Sequence, residues 1–140
     1  ALYSDGVALG ADGVPRLVPV GEAVADDHGQ RARQDVWLAA GRVPGPPRYR
    51  AMAEQALRDL DALVLDNGAS LAAGSPYWRY VWPRDASFTA AALARTGHAD
   101  DAHAVLGYLA RMQQRSTADG VLQARYLPDG SGRVPDSRPP

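Results

Sequence analysis

Apolar residues recur at intervals of three and four between residues 48 and 65. Tyr49, Met52, Ala53, Ala56, Leu57, Leu60, Leu63 and Val64 fall on one side of a helix, predicted from about Arg48 to Leu65. Pro46-Pro47 stands just before it, and Asn67-Gly68 supplies a left-handed stop just after it. The opposite side carries Glu54, Arg58, Asp59 and Asp61 and is expected to face solvent. An alanine-rich run predicts a second helix from Asp85 to Thr96, ended by Gly97. A third is expected from Asp100, as its N-cap, to Gln114, with Ala102, Val105, Leu106, Leu109 and Met112 buried. The link between these two helices is short, so they must be antiparallel neighbours.

Outside these helices the pattern is broken. Asp5-Gly6 and Asp12-Gly13 suit tight hairpin turns between short strands, and Pro15 and Pro19 make those strands poor central ones. Residues 21–34 are polar and fit either a loop or an irregular helix running on into Trp37-Leu38. Three prolines and two glycines punctuate residues 41–47. Beyond Arg115 the Asp119-Gly120 and Asp129-Gly130 turns flank Val121–Leu127, which reads as a short strand. Residues 1–47 thus read as an arm with short strands and a Pro/Gly-rich connection. Residues 48–140 read as helices followed by a long loop. Three narrow apolar faces do not close a core, so the architecture is expected to be incomplete and the chain to be a processed or truncated product.

Composition narrows the partners. A net charge of -1 offers no field for nucleic acid and no polybasic face for an anionic membrane. No apolar run is long enough to span a bilayer. All 15 basic residues are arginine, which fits the base composition of a gene at least as well as a function. Cysteine is absent, which removes disulfides, thiolate nucleophiles and cysteine metal sites. His98 and His103 are five apart, off one helical face, and with His28 read as loop or helix-surface residues rather than zinc ligands. The Asp-Gly turns lack a calcium-loop pattern, and Ser75 and Ser87 lack a nucleophile-elbow context. No metal or cofactor is implied. The chain starts without a signal peptide; secretion is the favoured localisation, which otherwise stays open.

The chemistry is concentrated in Tyr77-Trp78-Arg79-Tyr80-Val81-Trp82-Pro83-Arg84-Asp85. A carboxylate accepts two hydroxyl hydrogen bonds and a guanidinium donates two, so adjacent Arg84 and Asp85 can grip neighbouring sugar hydroxyls. Indole and phenol rings cover the apolar C–H face of a sugar. The alternative is structural: Asp85 as a helix N-cap, with Trp78 and Trp82 as core.

The run Trp78–Asp85, followed by Phe88, Gly97 and Ala102, resembles the first conserved region of glucoamylase-like glycoside hydrolases of family 15. Leu109-Ala110-Arg111-Met112-Gln113, Asp119-Gly120 and Ala124–Gly132 continue the likeness, which spans Trp37 to Asp136. The Trp-Pro-Arg-Asp core is its most specific part. The resemblance implies a mainly α fold, part of an (α/α)6 toroid of paired helices, with short extended segments at the N-terminus and in the C-terminal loop. By the same resemblance, Arg84 and Asp85 match the pair that binds the non-reducing terminal sugar. Trp82 matches an aromatic lining that pocket, Trp78 stands where relatives often carry tyrosine, and Tyr80 is placed on the alternate side, nearer the core.

An inverting glycosidase needs a carboxylic acid and a carboxylate base roughly 6.5–9.5 Å apart. In the family both are glutamates in a later region. This chain has only Glu22 and Glu54, and neither has the family's surrounding motif. The expected function is the N-terminal section of an exo-acting, inverting α-glucosidase that grips the terminal sugar and lacks the catalytic pair. A small oligosaccharide or α-glucan is its expected substrate, and the full-length enzyme is expected to be a monomer. A trehalase or dextran-acting relative, and a non-catalytic helical carbohydrate-binding or interaction domain, are the alternatives.

Overall fold

The computed structural model describes residues 3, 6–11, 13–116 and 120–132, with the backbone alone at 20 and 23–27. Asp5, Asp12, Asp119 and Asp136, named above, lie outside the described residues. The described chain is mostly helical, with one small antiparallel sheet. Strands β1 (Val7–Leu9) and β2 (Pro15–Leu17) pair with Val7 opposite Leu17. The pair has two edges and no centre, which is why Pro15 is tolerated in it. Helices α1 (Val20–Ala40), α2 (Arg50–Leu63), α3 (Pro83–Arg95) and α4 (Ala99–Ser116) follow.

The polar segment 21–34 takes the helical alternative as part of α1. A single turn of tighter helix, Pro47–Tyr49, opens α2, its proline supplying the fixed φ of a first helical position. Asn67-Gly68 does not stop α2. The helix ends at Leu63, and Val64 pairs with Ser70 across a tight turn that has Asn67-Gly68 at its tip. Gly68 has φ +85, and a Cβ there would stand 2.1 Å from the Ala104 carbonyl oxygen, so both the turn and the approach to α4 require glycine.

The start of α3 differs from expectation in a way that bears on the site. Pro83 pre-sets the helical φ, so the helix begins there and its N-cap is Trp82, not Asp85. The start of α4 likewise moves from Asp100 to Ala99. Between the two helices Gly97, at φ +92, lets the His98 N–H reach back to the Leu93 carbonyl at 2.9 Å, closing the last turn of α3. α3 and α4 then pack side by side. Their contact is built from Ala86, Ala90 and Leu93 on one helix and Ala102, Val105, Tyr108, Leu109 and Met112 on the other. Tyr108 replaces Leu106 on the buried side; Leu106 is 50% exposed. The proposed strand 121–127 is only one β-bridge, between Val81 and Tyr126.

α2 meets expectation only in part: its stripe is buried at Leu57 and packs on the core at Leu63 and Val64, but its polar side does not simply face solvent. Its polar side meets α1, where the buried Gln34 amide donates to the Arg58 carbonyl and to the Asp61 carboxylate, both at 2.9 Å. Arg58 pairs with Asp35 at 2.7 Å. A polar α1 can satisfy that side, whereas the apolar one is only partly covered, by the core at Leu57, Leu63 and Val64. Of its expected apolar face only Leu57 is buried, and Met52 is 66% exposed. A groove of 640 Å³ results, lined by Ala53, Ala56, Leu57 and Leu60 of α2 and by Phe88, Ala91 and Ala92 of α3.

Candidate functional site

The tight turn Pro76–Trp78 leads through Arg79 and a bend at Tyr80 to Val81, which pairs with Tyr126, and to Trp82, extended at the start of α3. Alternation along extended chain sends successive side chains to opposite sides. Val81 turns inward and is fully buried, and Arg79 turns toward Tyr3, its guanidinium 4.7 Å from that ring. Trp78, Tyr80 and Trp82 gather on the other side. The Trp78 and Trp82 rings lie 5.9 Å apart at 41°, and Tyr80 meets Trp82 at 5.7 Å and 79°. Tyr80 is therefore not core: it is half-buried and joins the two tryptophans. Alternation about the inward-facing Val81 is the signal that could have placed Tyr80 with Trp82, while Trp78 arrives from the tight turn.

Arg84 and Asp85 follow in the first turn of α3. Their side chains are 80% and 44% exposed, with Nη2 and Oδ2 3.6 Å apart. A pair this open and this long contributes little stability and can exchange partners readily. Because Trp82 is the N-cap and the helix has no side-chain cap bond, the Asp85 carboxylate is not spent on capping. At the third helical position it still gains from the positive end of the helix dipole. All four expected site residues thus stand exposed or half-exposed around the start of one helix. They form an open wall of tilted and edge-on rings with a donor and an acceptor beside it, suited to a ligand with an apolar face and hydroxyl groups.

The two glutamates stand elsewhere. Glu22, on α1, lies 3.8 Å from Arg16, and Glu54, on α2, is held by Arg50 at 2.8 Å. Among the described residues no three His, Cys, Asp or Glu side chains converge as metal ligands, and no helix is long and apolar enough to cross a membrane.

A second cluster went unread in the sequence. His98 is buried, not a surface residue, and stacks on Trp37 at 3.6 Å and 10°. The Trp37 indole donates to Asp101 at 2.7 Å, and the His98 Nε2 has no hydrogen-bond partner among the described residues. Burial lowers the imidazole below its ordinary 6.5, against the opposing pull of Asp101 and Asp61. A folded value below the unfolded one means that the unfolded chain takes up the proton first. Stability is therefore lost as pH falls through the unfolded value, down to the folded one. Asp61 acts in the opposite sense: burial raises its carboxyl above 3.8, so a penalty is relieved at the lower pH where it protonates. Melting temperature followed from about pH 7.5 to about 5.5 is expected to fall, and His98→Gln to flatten the slope. A rise over that window would show that His98 gains a proton partner on folding.

No protein-family model, curated protein or solved structure matches the chain.

Proposed function

We propose that the chain is the N-terminal section of an exo-acting, inverting α-glucosidic hydrolase of the glucoamylase type, and that it supplies the wall holding the terminal sugar. The observation that carries this reading is the wall itself. Trp78 and Trp82 meet at a tilt beside an exposed Arg84-Asp85 pair whose carboxylate is free of capping duty. The uncovered groove between α2 and α3 supports the toroid, in which further helices would cover such faces. The acid and base come from elsewhere in the protein, since Glu22 and Glu54 pair with arginines away from the wall.

That placement of the glutamates also favours a second reading, a non-catalytic carbohydrate-binding domain. One experiment separates them. Maltooligosaccharides are incubated with the intact protein and the released sugar is followed by proton NMR. The proposal expects glucose to appear first as the β-anomer, the product of inversion. Binding without release would leave the non-catalytic reading standing, and release of the α-anomer would rule out inversion. Trehalose and dextran in the same assay separate the trehalase and dextran-acting relatives.

A further inference from the structure

We infer that Arg125 is a positioning residue for the aromatic wall: from the 120–132 loop, its guanidinium fixes the Tyr80 ring and, through Tyr80, the Trp82 indole. The inference rests on the sugar-wall reading for its functional consequence but not for its geometry.

The loop is fastened by buried groups. Val81 and Tyr126 exchange both backbone hydrogen bonds, at 3.0 and 2.9 Å, and their side chains are 0% and 1% exposed. The Tyr126 hydroxyl also accepts from the Gln123 N–H at 2.8 Å and bonds the Ser116 hydroxyl at the end of α4. In an antiparallel pair the side chains flanking an inward-facing couple point to the other face. Residues 80 and 82 on one side of this single bridge and 125 on the other therefore share the outer face, with 125 opposite 82. The observed contact is the diagonal one across that face: the Arg125 guanidinium carbon lies 5.0 Å from the centre of the Tyr80 ring. This is within the roughly 6 Å at which a cation is held by the negative face of a ring. Tyr80 then abuts Trp82 nearly at right angles, so it cannot reorient without disturbing the indole. Order passes from loop to guanidinium to phenol to indole.

Two variants of the intact protein test this. Arg125→Met keeps much of the side-chain bulk and removes the charge; Arg125→Lys restores a cation. Near-ultraviolet circular dichroism reads the fixed arrangement of the rings, and a titration with maltose reads the wall's function. Arg125→Met is expected to weaken the aromatic band and raise the Kd for maltose about two- to tenfold, with Arg125→Lys recovering most of both. An Arg125→Met protein with an unchanged spectrum and affinity overturns the inference, and so does an Arg125→Lys protein as impaired as Arg125→Met. If the wild-type protein does not bind maltose, the sugar reading fails, and the spectra alone decide whether Arg125 orders the rings.

Discussion

Asp85→Asn in the intact protein is expected to lower kcat/KM on a maltooligosaccharide by about a hundredfold or more. Hydrogen bonds to a charged group contribute roughly 1.5–3 kcal/mol each, and a carboxylate gripping two sugar hydroxyls makes two of them. The amide has the same shape but no charge, and one of its ends is a donor, so it can match neither bond fully. The effect on folding is expected to be small. Asp85 occupies the third position of α3, not the N-cap, so the lost charge costs only the helix-dipole term of about 0.3–1 kcal/mol. Activity and stability should therefore separate. Steady-state kinetics and a urea melt on the same preparation check both halves. Unchanged kcat/KM would remove Asp85 from the site, and a large loss of stability would return it to the structural role that the sequence also allowed. Arg84→Lys is the companion control, since a point charge cannot reproduce the two-donor fork of a guanidinium.

The separation depends on Pro83, and Pro83 shows what could be read beforehand. The sequence placed a helix start at Asp85, beside the aromatic run, and offered that residue as its cap, as the structural alternative to sugar binding, because Asp is a good one. The proline's fixed φ decided otherwise, two residues earlier, and so released the carboxylate. The α3–α4 pair was legible because Gly97 marks the turn and the apolar spacing is regular on both helices. α2 shows the limit of that reasoning. Its stripe was correctly seen as apolar, but periodicity cannot say what lies opposite a stripe. α1 took the polar side through Gln34, leaving Met52 and Ala56 of the other side exposed. His98 was missed for a related reason. Its burial comes from Trp37, sixty-odd positions away, and from Gly41, whose missing Cβ leaves room for the imidazole edge. Tyr80 is different, because part of the information was present: residues flanking an inward-facing one share the other side, which puts 80 with 82, whereas Trp78 is brought there by the turn Pro76–Trp78.

Tyr108→Ala is expected to be the most damaging single substitution among these, at about 3–5 kcal/mol of stability, in line with other aromatic truncations in cores. The side chain is 1% exposed at the centre of the α3–α4 contact, and its removal leaves a cavity that rigid neighbouring helices cannot close. It also ties α4 to the far loop, because its hydroxyl donates to the Leu127 carbonyl at 2.5 Å. Burial raises the phenol's pKa well above the ordinary tyrosine range, so it remains a donor at any pH the fold meets. Tyr108→Phe removes that one bond and keeps the ring, and is expected to cost about 1 kcal/mol. Comparing the two by urea denaturation separates packing from tethering, and a loss below about 1 kcal/mol for Tyr108→Ala would show that this contact does not anchor the fold. The tether has a functional side as well. Leu127 adjoins Tyr126, which is bonded to Val81, the inward-facing residue between Tyr80 and Trp82. A substitution on the buried side of α4 is thereby expected to disturb the near-ultraviolet signal of rings on the outer face, with Tyr108→Phe doing so less than Tyr108→Ala. The wall at the start of α3 is held from behind by the α4 core and from the side by the loop, and it loses its shape when either support is removed.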